Sequence, residues 1–416
     1  MSATASATAA QIPSSLPALR LLTVAPHRLM FFIGALNVLL AMTWWAAWLV
    51  DARWHIFNLQ QPAVPAGWLH AIIMQYQVLP SFFFGFLLTV FPRWLNQPAL
   101  DRRHYVPVGL GLFGGQAFTL VGIGAGLSFL KIGAVLTLVG WLIGIAFLIR
   151  VLYQEGARTW HATSCLFALA FGLLGLALYA VFLHRFDARV MFVSMKMGAF
   201  ALLLPVFFTV CHRMVPFFTS CVVTPYKAVR PFWTLPAVWT LVLAHLWLEL
   251  RHAYAWLWIV DVPLVAISAW LLWLWYPRHA RKPALLNVLF ISFAWLPISF
   301  ALYAAQSLWF ATTGEFALGR GPAHALFIGF FGSMLVAMVT RVTQGHSGRP
   351  LVLGGVAAFA FAVVQLTAVT RVIAEIMPDV LAWQAIAALG WLIAFMPWAT
   401  RSAWIYLTPR RDGKEG

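Results

Sequence analysis

Charge and cysteine are both scarce in this chain. Of its 416 residues 9% are charged and 62% hydrophobic, with 22 Trp and 34 Phe. So few charged side chains cannot solvate the surface of a water-soluble globule, and the composition points to a protein embedded in a bilayer. The three cysteines, Cys165, Cys211 and Cys221, form neither a CxxC pair nor a CxxCH attachment motif. That excludes covalently held c-type haem and leaves no framework for an iron–sulfur cluster. No Pro-, Gly- or Ser-rich linker divides the chain, no internal repeat stands out, and no soluble domain is evident. The longest polar connections, 51–66, 92–105 and 211–231, suffice only for turns or interfacial helices.

What the chain does have is a succession of long apolar runs, and in lipid these must be helices, because only helices or closed barrels satisfy every backbone group internally. Twelve spans are predicted, at 29–50, 67–91, 106–130, 133–153, 162–183, 190–210, 233–248, 256–276, 285–310, 324–342, 352–376 and 380–399. The expected fold class is an all-α integral membrane protein. Residues 1–25 read as a disordered cytoplasmic tail, 26–407 as the polytopic membrane domain and 408–416 as a second cytoplasmic tail. The start, MSATASATAAQIPSSLPALR, lacks the early basic cluster of a cleaved signal peptide.

A formal net charge of +16 could suggest nucleic acid. Its distribution does not. Most of the 27 Lys and Arg fall in the two tails and the even-numbered connections. This is the positive-inside asymmetry, and it predicts both termini in the cytoplasm. The expected partner of the surface is the lipid bilayer, with no nucleic acid.

Twelve histidines stand beside only eleven acids. On the predicted topology His70, His245 and His324 fall within or at the rim of the hydrocarbon on the outer side. In the second span His70, Met74, Gln77 and Ser81 recur at helical spacing, within about 40° of one another on a regular helix. A polar stripe in lipid must face protein. His324 opens an apolar segment near the twenty residues a membrane helix needs, and Arg341, His346 and Arg349 close it around a Gly345 to Gly348 turn. A neutral imidazole in such a place is a natural axial ligand for haem or a ligand for copper. The plainer readings are interfacial hydrogen bonding for His70, packing for the face of His324, and snorkelling for His245, which is a third metal-ligand candidate. Lys196 and Asp261 lie inside the sixth and eighth spans, where a mutual pair or a proton-moving role would account for their burial. Met195 and Met197 beside Lys196 suit Cu(I) or simple packing.

Three segments carry a family resemblance: GFLLTVFPRW (85–94) with His70 upstream, CHRMVPFFT (211–219), and HALFIGFFGSMLVAMVTRVTQGHSGRPL (324–351). In order and over most of the membrane domain they resemble the NnrS family of bacterial twelve-helix inner-membrane proteins, described as containing haem and copper and associated with the response to nitric oxide. The resemblance implies noncovalent b-type haem, with copper as a second candidate cofactor and nitric oxide as the candidate ligand. It carries over His70, Met74 and His324, and a basic group of Arg213, Arg341, His346 and Arg349. With Gln77 from the helical stripe, these are the expected cofactor-binding residues. The family's His-x-His-Glu-Met pattern reads His70, Ala71, Ile72, Ile73, Met74 here, so a copper site that uses the second His and the acid lacks both. A weaker analogy links the second- and tenth-span histidines to haem-copper oxidase core subunits, although the oxidase's paired histidines on the seventh span are missing. No residue is marked as catalytic. Competing readings are a transporter with a polar path through Gln77, Lys196 and Asp261, and an assembly factor that handles haem or copper without turnover.

Overall fold

The computed structural model describes residues 18–278, 280 and 282–413. Among these residues there is no strand, and the protein is a multi-pass bundle of helices. Eleven helices are long and apolar enough to span a membrane: α1 (Pro26–Trp54), α2 (Ala66–Trp94), α3 (Arg102–Ala125), α4 (Leu127–Glu155), α5 (Trp160–Arg185), α6 (Ala188–Ser220), α8 (Trp258–Trp275), α9 (Ala284–Thr313), α10 (Gly321–His346), α11 (Gly355–Ile376) and α12 (Val380–Tyr406). The shorter apolar helix α7 (Thr234–Leu250) lies between α6 and α8. With α7 counted, twelve helices run alternately up and down the bundle and bring both ends of the described chain to one face, the terminal face; its opposite is the far face. A short helix, Ala18–Leu22, precedes α1 and buries Leu21 and Leu22. Residues 1–17 of the expected N-terminal tail lie outside the described residues.

Helix ends differ from expectation where local chemistry is stronger than hydropathy. The third span was expected to end near Leu130, but the turn falls at Gly126, whose φ of +102° is a conformation that a Cβ disfavours. Lys131 consequently sits inside α4. His104, expected in a loop, belongs to the first turn of α3, where Asp101 and His104 close a reciprocal cap: Asp101 accepts from the Arg103 N–H at 2.8 Å and the Asp101 N–H donates to His104 Nδ1 at 3.2 Å. α3 and α4 then pack as a tight hairpin. A Cβ on Gly111 would stand 2.6 Å from the Cα of Gly140, so only small residues permit this approach.

Three helices form the centre. The most hydrophobic windows of α2, α6 and α10 are 83, 72 and 78% buried, against 33–56% for the other long spans. These three helices come at four-helix intervals along the chain, and each contains a widened π-helical stretch: Met74–Val78, Gly198–Leu203 and Ala325–Gly332. The i→i+5 bonding is explicit in Leu79 N–H to Met74 O, Leu204 N–H to Ala199 O and Ser333 N–H to Ile328 O. Such insertions re-aim the side chains beyond them and recur at functional sites. The indole N–H of Trp141 on α4 donates to the carbonyl of Tyr76 at 3.0 Å, giving the α2 stretch a partner from outside its own helix.

The same three helices meet through aromatic rings. Phe83 of α2 packs edge-on against Phe207 of α6 at 5.1 Å between centroids, and Phe207 stacks on Phe331 of α10 at 4.6 Å. All three are buried. This phenylalanine junction lies one turn past the π-helical stretches of α2 and α6 and within the end of that of α10.

Candidate functional site

Above the junction, toward the far face, lies a cavity of about 980 Å3 enclosed chiefly by α1, α2, α6, α10, α11 and α12 and reaching the loop Gln61–Pro65. That is at the upper end of what small-molecule and cofactor sites enclose. Along α2, α6 and α10 its last lining residues are Leu79, Leu203 and Ile328, about one turn before Phe83, Phe207 and Phe331. All three π-helical stretches contribute to its wall.

His70 and His324 both line this cavity. His70 comes from the first turns of α2 and stacks face to face on Trp45 of α1, with centroids 4.4 Å apart and planes 9° from parallel. Trp45 in turn stacks on Trp48 at 5.5 Å, so the His70 ring is held flat by a two-tryptophan wall. His324 is fixed differently. Its Nδ1 is 2.9 Å from the carbonyl oxygen of Arg320, one turn earlier. With Nδ1–H donating there, the lone pair of the neutral ring is on Nε2, which is how proteins orient and strengthen a metal-binding histidine. Met74, the next member of the predicted stripe, also lines the cavity.

Gln77 and Ser81 do not follow. Gln77 Nε2 donates to Thr119 Oγ1 of α3 and Thr137 Oγ1 of α4, at 2.9 and 3.0 Å, and Ser81 Oγ donates to the Gln77 carbonyl at 2.7 Å. The stripe assumed a regular helix throughout; the widened π-helical stretch at Met74–Val78 contains Gln77 and precedes Ser81, so both face a different neighbour from the one regular spacing predicts.

The basic group is elsewhere too. The Arg213 guanidinium lies 4.4 Å over the ring of Trp94, and that of Arg341 4.2 Å over Phe218, both in the terminal-face half. His346 packs against His27 with ring centroids 4.3 Å apart, and Arg349 lines a separate pocket. The cavity has its own cations, Lys196, Arg320 and Arg371. Arg371 pairs with Glu375 one turn on, and Lys196 Nζ is 2.8 Å from Glu249 Oε2. No ion pair involves Arg320 among the described residues.

Lys196 and Asp261, for which a mutual pair was one reading beside a proton-moving role or a reach to the headgroups, are the ends of a longer row. Asp261 Oδ1 is 2.7 Å from His245 Nδ1, His245 Nε2 is 3.7 Å from Glu249 Oε1, and Glu249 reaches Lys196. His245 is buried between two carboxylates and packs on Phe200 and Tyr303. It does not itself line the cavity. Gln77, Lys196 and Asp261 therefore share no common path: Lys196 is at the cavity wall, Asp261 is screened from it by His245 and Glu249, and Gln77 faces α3 and α4.

Sequence reasoning missed Trp45, Arg320 and Arg371 as parts of this cavity. Arg371 carried a signal, since it is a lone charge inside an apolar run. Trp45 carried none, being one of 22 tryptophans. A second close histidine pair, His161 Nε2 and His212 Nδ1 at 2.9 Å, is buried near the terminal face. His212 lies in the CHRMVPFFT segment, but nothing marked His161 as its neighbour.

The sequence model of the NnrS protein family matches residues 21–410, nearly the whole chain. The chain belongs to the NnrS family. No curated protein matches it. In this NnrS family member the residues fit a haem better than a free metal ion. Two histidines from different helices face one large cavity with aromatic walls and cations. Among the described residues no three His, Cys, Asp or Glu side chains gather closely enough to hold a metal ion. That donor set gives no basis for deriving a copper site.

Proposed function

We propose that this NnrS-type membrane protein holds a b-type haem noncovalently in the far-face cavity, with His70 and His324 as axial ligands, and that it serves the response to nitric oxide at the bacterial inner membrane. The observation that carries this reading is the shared cavity: His70 and His324, 254 positions apart in the sequence (324 − 70), line one cavity from two of the three central helices. The His324 Nδ1 contact to the Arg320 carbonyl supports Nε2 as the donor atom, and Trp45 would hold the His70 ring in plane. Arg320 and Arg371 at the cavity wall are the side chains suited to the propionates. Bound there, haem would supply an iron centre for a diatomic ligand; the chain's part is to orient two imidazoles, exclude water with Trp45, Trp48 and Trp391, and supply positive charge. The positive-inside asymmetry supports placing the terminal face in the cytoplasm, and the cavity on the other side.

The test is a visible spectrum of the protein purified in mild detergent after expression with ample haem. The expected product is acid-acetone-extractable haem with a low-spin, six-coordinate spectrum and a Soret band that shifts when nitric oxide is added to the reduced protein. His70→Ala and His324→Ala should each give a high-spin spectrum or lose the haem, while His184→Ala, at an exposed helix end, should change neither. Haem unaffected by both substitutions would overturn the ligand assignment. A protein free of haem under these conditions would overturn the function and favour transport or cofactor handling.

A further inference from the structure

A second pocket, of about 460 Å3, lies at the terminal face where the end of α10, the start of α11 and the end of α12 come together. Three arginines line it: Arg349, Arg401 and Arg411. No acidic side chain does. The backbone holds two of the three in place, because the Arg349 N–H donates to the Gln344 carbonyl at 3.0 Å and the Arg411 N–H to the Ser347 carbonyl at 3.1 Å. Arg349 Nη1 is buried without a hydrogen-bond partner. None of the three arginines forms an ion pair among the described residues, whereas their neighbour Arg410 is held by Asp412 in a two-point contact at 2.8 and 2.6 Å. Burial and the like charges of Arg411 and Arg401 push the Arg349 pKa down from its usual value. Three guanidiniums gathered without an ion-pair partner among the described residues leave a local preference for an anion with several acceptor oxygens.

The apolar surroundings say which kind of anion. A groove along α12, lined by Met396, Pro397, Thr400, Arg401 and Trp404, shares Arg401 and Trp404 with the pocket. Met396 and Trp404 are exposed on the outside of the bundle, as is Val352 at the pocket rim. A basic pocket for a phosphate therefore continues directly into an apolar track running toward the bilayer interior. Arginine-lined recesses of this kind at the basic face of a membrane protein suit anionic headgroups.

We propose that this pocket is a binding site for an anionic phospholipid, its phosphate held by Arg349, Arg401 and Arg411 and an acyl chain lying along Met396, Pro397 and Trp404. The site is independent of the far-face cavity.

The experiment is native mass spectrometry and thermal unfolding of the full chain, delipidated in detergent, on titration with phosphatidylglycerol, phosphatidylcholine or inorganic phosphate. Phosphatidylglycerol should add a resolved lipid mass and raise the unfolding midpoint; phosphatidylcholine and inorganic phosphate should do neither at matched concentration. Arg349→Gln, Arg401→Gln and Arg411→Gln should each weaken phosphatidylglycerol binding by about tenfold or more, the loss expected for one charged hydrogen-bonded contact. Arg410→Gln should leave it unchanged. Trp404→Ala, at an exposed position, tests the acyl track if an arginine variant fails to fold, and it should weaken phosphatidylglycerol binding too. Equal stabilisation by inorganic phosphate would show a free-anion site, equal binding of phosphatidylcholine would show that the arginines do not select charge, and full binding by all the variants would place the lipid elsewhere. Each of these would overturn the proposal.

Discussion

Lys196 at the cavity wall and the buried Glu249 stand 2.8 Å apart, and this contact joins α6 to α7 in the far-face half of the bundle. Glu249 is 4% exposed at its side chain, Lys196 27%. Removing one partner of a buried pair leaves an uncompensated charge at a cost of about 3–5 kcal/mol, whereas removing both is far milder. Lys196→Met should therefore strongly lower the unfolding midpoint, and the Lys196→Met, Glu249→Gln double variant should recover most of the loss. Additive losses in that double-mutant cycle would mean the two residues act independently.

The pair Arg53 and Asp379 is the opposite case. Its atoms are also close, at 2.7 Å, but both side chains are about two-fifths exposed, at 42 and 41%. An exposed pair of this sort contributes little. The Asp379 carboxyl is held below the usual carboxylate range by the backbone N–H of Ala382 and then by Arg53. A depressed carboxylate contributes stability above its unfolded pKa, near 4, and loses that contribution as pH falls through the lower folded value. The small difference in unfolding midpoint between wild type and Asp379→Asn should thus be present at pH 6 and shrink toward zero at the lowest pH the folded protein tolerates. A difference that grows on acidification would contradict the assignment.

Gln77 separates the stripe expected from a regular helix from the arrangement with a widened turn. Gln77→Leu should destabilise the protein by about 1–3 kcal/mol, because Thr119 and Thr137 lose a buried partner. It should leave the spectrum of any bound cofactor as it was. Met74→Ala, at the cavity wall, should alter that spectrum. A reversed pattern would restore the regular stripe.

At Gly198 α6 packs closely against α2. A Cβ placed there would collide with Gln75 Oε1 and the Tyr76 hydroxyl. Gly198→Ala should lower the yield of folded protein and the unfolding midpoint, while Gly124→Ala, whose Cβ would meet nothing within 4 Å, should be harmless. Equal behaviour of the two would show that α2 and α6 are not this close.

The helical class and the multi-pass character were legible because both rest on one-dimensional patterns of hydropathy and loop charge; of the twelve expected spans eleven are long and apolar enough to cross a membrane, the seventh being the shorter helix Thr234–Leu250. The exact set around the histidines was not. Gln77 was misplaced because a π-helical insertion leaves no reliable mark in apolar sequence, yet changes which neighbour every later residue faces. Asp261 was linked to Lys196 because both were isolated charges in apolar runs. Glu249, four residues after His245 and so on the same helical face, was the clue that the row is longer. Trp45 and Arg320 became part of the site only through tertiary packing, which no spacing rule reaches. Arg349 belongs to a matched motif but stands in a different pocket from His324, since the two residues lie at opposite ends of α10.

The phenylalanine junction has an electrical consequence. Phe331 is ten residues into α10, roughly 15 Å along the helix axis at the usual rise, which puts the junction near the middle of that helix. A charge that reaches Lys196 or His324 from the far face therefore traverses no more than about half of the transmembrane field. With about 2.3 kcal/mol per elementary charge for a full crossing at 100 mV, reduction or ion uptake in the cavity would feel on the order of 1 kcal/mol of membrane potential. The bilayer's voltage would act on the occupant of this cavity as a weak bias.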